Sequence, residues 1–136
     1  MHPSSELVDV LEQALRLLRR LSTAGDLSFT ASSTLGRLVR EGPMRLTELA
    51  NAEAASQPGM TQLVTRMERE GLVRREASRD DRRGVVVTVT DAGVDLMNRR
   101  RAERTDALRR MFDGLAPADR AAIEAALPAL TRLVSP

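Results

Sequence analysis

Residues 56–90 read SQPGMTQLVTRMEREGLVRREASRDDRRGVVVTVT, and two different hydrophobic periods follow one another within this stretch. Met60, Leu63, Val64 and Met67 stand at i, i+3, i+4 and i+7, the spacing of one buried helix face. Ser56 is placed to cap that helix, and Pro58 falls in its first turn, where a missing N–H leaves no intrahelical bond unmade. Gly71 ends it. Beyond the glycine the period shortens, and Leu72–Glu76 and the β-branched run Val85–Thr90 predict two strands. The polar run Ala77–Gly84 joins them into a hairpin whose long tip carries Arg79, Asp80, Asp81, Arg82 and Arg83.

Upstream, Leu7, Val8, Leu11, Ala14, Leu15, Leu18 and Leu21 predict a first helix over Ser5–Leu21, with Ser4 or Ser5 as its cap. Val10 and Leu17 widen that stripe, as in a helix buried on more than one side, against a second subunit. A second helix is expected over about Ser28–Arg40, with Leu35, Leu38 and Val39 inward and Gly42-Pro43 as its stop. Thr47–Ala55 reads as a short helix capped by Thr47, abutting the one that starts at Ser56. Downstream, Thr90 or Asp91 caps a long helix to about Asp113, closed by Gly114. A last helix from Pro117 carries Ile123, Ala126, Leu127, Leu130 and Leu133, and Pro128 is expected to kink it or end it early. The fold class is therefore mainly α with a small β-hairpin, in one domain of 136 residues.

Composition narrows the chemistry. The chain is 42% hydrophobic and 29% charged, as a folded globular chain is. Phe29 and Phe112 are its only aromatic residues, which leaves few platforms for stacking single-stranded bases. All 21 cations are arginine and the formal net charge is only +2, so where the charge sits matters more than its total. With no cysteine, one histidine at position 2 and no phosphate-cradling glycine loop, neither an enzyme, nor a metal site, nor a cofactor is expected. No apolar run reaches membrane-spanning length and no signal peptide opens the chain, so a cytoplasmic protein without a membrane partner is expected.

A helix that enters the major groove of duplex DNA needs one apolar face for the core and one of short polar side chains for base edges. Residues 57–69 have both, the second made of Gln57, Thr61, Gln62, Thr65, Arg66 and Arg69. Glutamine pairs with adenine, threonine offers a hydroxyl and a methyl, and arginine suits guanine or phosphate. Taken alone, the segment reads equally well as an amphipathic helix with a solvated face. Taken with the preceding helix, the arginines of the hairpin tip favour DNA over a soluble charged turn in which Asp81 pairs with a neighbouring arginine, since the minor groove's negative potential attracts them. A winged-helix module that binds an acidic protein without reading DNA sequence is the alternative.

From Leu46-Thr47-Glu48-Leu49-Ala50, through Ser56 to Val64 and Met67 to Arg75, to Asp81-Arg82-Arg83 and Val87-Thr88-Val89-Thr90-Asp91-Ala92-Gly93, the chain resembles the MarR family of bacterial winged helix-turn-helix regulators. The resemblance spans about residues 35–133. It implies a sequence-specific regulator of transcription, read as a repressor of nearby genes, that binds a pseudo-palindromic operator as a homodimer. Carried over by position, Ser56, Gln57, Pro58, Thr61, Gln62, Thr65 and Arg66 face the major groove or its flanking phosphates. Arg83 enters the minor groove, Asp81 orients the wing, and Arg82 or Arg79 meets phosphate. About 1–27 and 114–136 form the dimerisation helices, about 28–90 the winged motif and about 91–113 the connecting helix. The apolar stripes of Leu7, Leu11, Leu15 and Leu18, and of Ile123, Leu127, Leu130 and Leu133, suit that dimer independently. The resemblance also implies a small aromatic or phenolic effector held between the lobes, without naming its residues. One departure concerns the turn between the two short helices, where family members often carry glycine and this chain has Ala54-Ala55, so strain of order 1 kcal/mol is expected there.

Overall fold

The structure is a computed structural model that describes residues 2–21, 27–80 and 84–135. In chain order it comprises α1 (Ser4–Arg20), α2 (Phe29–Glu41), β1 (Met44–Arg45), α3 (Leu46–Ala52), α4 (Gln57–Arg69), β2 (Val73–Ala77), β3 (Val85–Val89), α5 (Asp91–Asp113) and α6 (Pro117–Val134). The expected order is borne out, with β1 as an addition. This two-residue strand, too short to show a period, pairs antiparallel with β3 through Met44 opposite Val87. β3 is therefore central, in the order β1-β3-β2, and Val73 faces Val89 while Ala77 faces Val85.

The core gathers where the winged motif folds on itself. Leu35 and Leu38 of α2, Leu49 of α3, and Met60, Val64 and Met67 of α4 are almost completely buried against Val73 and Val87 of the sheet. The four apolar positions that predicted α4 are thus its buried face. Val39, expected inward, is instead exposed.

Several ends differ from expectation. Pro3, not Ser4 or Ser5, precedes α1, with no side-chain cap, as its fixed φ suits the entry to a helix. Arg45, not Thr47, precedes α3, because pairing of β1 holds the chain extended up to that residue. α3 stops at Ala52 rather than Ala55, and Ala54 lies at φ +53°, the left-handed region that the expected strain requires. α6 runs through Pro128 to Val134, so the proline does not end it early, though it removes the N–H that the Glu124 carbonyl would have received. Gly114 does follow α5, in ordinary right-handed conformation.

The base of the hairpin and the start of α5 are welded together. Thr90 caps α5 by accepting from the Gly93 N–H at 3.2 Å, while its hydroxyl donates to the Gly71 carbonyl and its own N–H to the Leu72 carbonyl. A Cβ on Gly93 would lie 2.3 Å from the Leu72 oxygen and 2.7 Å from Val89 Cγ2, so only glycine lets helix and hairpin approach this closely. None of the residues of α1 or α6 is buried. Among the described residues no helix is long and apolar enough to cross a membrane.

Candidate nucleic-acid interface

α4 is positioned from both ends. At its start Ser56 Oγ accepts the Gly59 N–H at 3.1 Å, and a Cβ on residue 59 would crowd that oxygen at 2.9 Å. Gly59 thus makes room for the cap. The preceding turn is pinned to α2, since the nearly buried Glu53 carboxylate accepts from Ser33 Oγ and Arg37 Nε, each at 2.8 Å. Arg37 also donates to Glu41 and to the Ala52 carbonyl, and its guanidinium is held above its ordinary pKa, chiefly by the Glu53 bond. The two links to Glu53 join residues 16 and 20 apart and leave no local sequence signal.

At its far end α4 is tied to the wing. The Glu68 carboxylate accepts the Arg75 backbone N–H and Arg75 Nη2, each at 3.0 Å. Those two bonds, the backbone one foremost, hold its pKa below the usual glutamate value. Arg75 Nη1 reaches on to Thr65 Oγ1 at 3.3 Å. Arg75 was not among the expected interface residues, although it sits beside them.

Of the expected residues, Ser56, Gln57, Pro58, Gln62 and Arg66 are exposed on α4 or at its cap, and Thr61 and Thr65 are half-buried. Helical spacing sets Pro58, Gln62 and Thr65 on one row opposite Met60 and Met67, and continues it to exposed Arg69. Arg79 is exposed beyond β2. The hairpin closes at its base where the Ser78 N–H donates to the Gly84 carbonyl at 2.9 Å. Asp81, Arg82 and Arg83, the expected tip, lie outside the described residues.

A second concave feature lies away from this face, between α1, α2 and α5. It is an open cleft of about 480 Å³, with Leu15, Leu18 and Met97 against the guanidinium-bearing Arg40, Arg100 and Arg104. Arg19, at its rim, stacks 4.2 Å over the Phe29 ring. Arg100 is nearly buried, and that burial, with Arg104 beside it, pushes its pKa below the ordinary arginine value. Gly93, Leu96, Met97 and Arg100 stand at i, i+3, i+4 and i+7, so helical spacing sets Arg100, rather than Arg99 or Arg101, on the inward face of α5.

Comparison with known proteins agrees with this architecture. The profile of the MarR family matches residues 27–85. A helix-turn-helix-type transcriptional regulator of Mycobacterium leprae is 30% identical over 76% of this chain and 72% of its own length. A homoprotocatechuate degradative operon repressor of Escherichia coli is 34% identical over 55% of this chain and 51% of its own. Among solved structures, a transcriptional regulator of Pseudomonas aeruginosa PA01 superposes with a TM-score of 0.83 at 30% identity, covering 97% of this chain and 93% of that one.

Proposed function

This chain belongs to the MarR family of transcriptional regulators, and from that premise we propose that it is a repressor that reads a pseudo-palindromic operator in duplex DNA as a homodimer. The observation that carries this reading is the outward row of α4, where Pro58, Gln62 and Arg69, flanked by Gln57 and Arg66, stand exposed above the buried Met60, Val64 and Met67. Two such helices in a dimer would meet successive major grooves, roughly 34 Å apart. In this reading Arg82 or Arg79 meets phosphate, Arg83 enters the minor groove and Asp81 orients the wing. The helices within about 1–27 and 114–136 pair the two copies. The operon repressor among the relatives supports repression over activation.

The cleft of Leu15, Leu18, Met97, Arg40, Arg100 and Arg104 supports relief of repression by a small aromatic or phenolic anion, its ring against the aliphatic side chains and its charge toward the guanidinium groups. Because α2 and α5 both border the cleft, an occupant that favours one spacing of the lobes would shift the dimer away from its DNA-binding form.

Gel-shift titration over a range of salt concentrations tests the proposal. Duplex binding should weaken steeply, log K falling by about 0.9 per phosphate neutralised for each unit of log salt, and Arg66→Ala should reduce the slope by roughly one. Hydroxybenzoates added to the same assay should weaken binding, and less so in Arg100→Met. A shallow slope without preference among duplexes would instead identify a protein-binding module.

A further inference from the structure

Two side chains on the outward face of α4 have already committed their hydroxyl protons inside the protein. Thr61 Oγ1 donates to the Gln57 carbonyl at 2.9 Å, and Thr65 Oγ1 donates to the Thr61 carbonyl at 2.8 Å. A threonine hydroxyl has one proton and two lone pairs. At Thr65 the proton is taken, and Arg75 Nη1 occupies one lone pair at 3.3 Å. Arg75 is itself held, since Glu68 accepts from both its backbone N–H and its Nη2. A base edge arriving at Thr65 therefore finds no donor there, and what the residue has left to offer is one acceptor lone pair and its methyl. Gln57 and Gln62 differ, for their exposed amides are in none of the side-chain bonds around Thr61 and Thr65.

The apolar group on a base edge in the major groove is the 5-methyl of thymine. We infer that Thr61 and Thr65 act as methyl readers, selecting thymine through contact between their Cγ2 groups and its 5-methyl, while hydrogen-bonded readout falls to the glutamines. The inference rests on the reading that α4 enters the major groove. It gives Arg75 and Glu68 a positioning role, because they keep the Thr65 hydroxyl turned away from the base.

Selection from randomised duplexes supplies the probe, and binding is then measured to that duplex and to copies with deoxyuridine in place of each half-site thymidine, which removes only the methyl. One or two such replacements should weaken wild-type binding roughly four-fold each, the equivalent of one buried methyl-sized group. Thr65→Val, which keeps the methyl and loses the hydroxyl, should bind within about two-fold of wild type. Thr65→Ser, which does the reverse, should lose roughly four-fold and become indifferent to deoxyuridine at the position it faces, a coupling that general loss of structure does not produce. Thermal melting of each variant establishes that it is folded. A Thr65→Val loss as large as that of Thr65→Ser, indifference of the wild type to every deoxyuridine, or a selected half-site without thymine would each overturn the inference. Recovery of no preferred duplex would overturn the DNA reading itself, and this inference with it.

Discussion

At Ala54 a single Cβ carries a conformational cost. Its φ of +53° is one that L-residues with a Cβ adopt at roughly 1–2 kcal/mol, and the side chain is exposed, so no packing offsets it. The turn is held by its neighbours, with Glu53 accepting from Ser33 and Arg37 immediately before it. Ala54→Gly should therefore stabilise the protein by about 0.5–1 kcal/mol once glycine's larger entropy in the unfolded chain is counted, raising the melting temperature by about 2–4 °C. A calorimetric melt checks this, and an unchanged or lower Tm would count against strain at this residue. The site of the strain was legible in the sequence, because Ala54-Ala55 stands between two short helices. The clamp was not, because Ser33, Arg37 and Glu53 meet only after α2 and α3 have packed.

At the scale of elements, the outcome divides by the length of the signal. α4 was legible from its start at Ser56 to its end because four core residues mark its face and serine and glycine bracket it. α3 was legible as a helix but not in its start, since the two residues of β1 take their extended form from a partner strand some forty residues on. α6 shows that a proline within a helical pattern removes one bond without setting the helix's length. The junction of hairpin and α5 was half legible, for Thr90 read as a cap while the crowding at Gly93 is purely tertiary. Gly93→Ala would force α5 and the Leu72 backbone apart and should cost about 1–3 kcal/mol or more, as overpacking does. Chemical denaturation would measure the loss, and a neutral effect would show that the junction yields.

For the whole molecule, α1 and α6 pose the question that one chain leaves open. Leu11, Leu15 and Leu18 on the first, and Ile123, Leu127, Leu130 and Leu133 on the second, are exposed, while Leu7 is half-buried. So much apolar surface on two helices suits burial against a second copy. Leu127, 53% exposed, can be altered without disturbing the core of the winged motif. Leu127→Asp should shift the protein toward monomer in light scattering, leave its helical circular dichroism largely intact, and weaken operator binding by at least about ten-fold as the two readers lose their fixed separation. A variant that remained dimeric would remove Leu127 from the interface.

The weld at Thr90 and Gly93 has a mechanical consequence for such a dimer. α5 has 23 residues and so extends roughly 34 Å, rigidly joined at one end to the root of the wing. It is a lever with its fulcrum beside the reader, and each degree of tilt there displaces its far end by about 0.6 Å, from the same rise per residue. Read in reverse, an ångström-scale shift where two copies meet becomes a rotation of under two degrees at the hairpin. In a dimer that meets at the far end of α5, this helix would convert translation there into a small change of angle at the root of the wing.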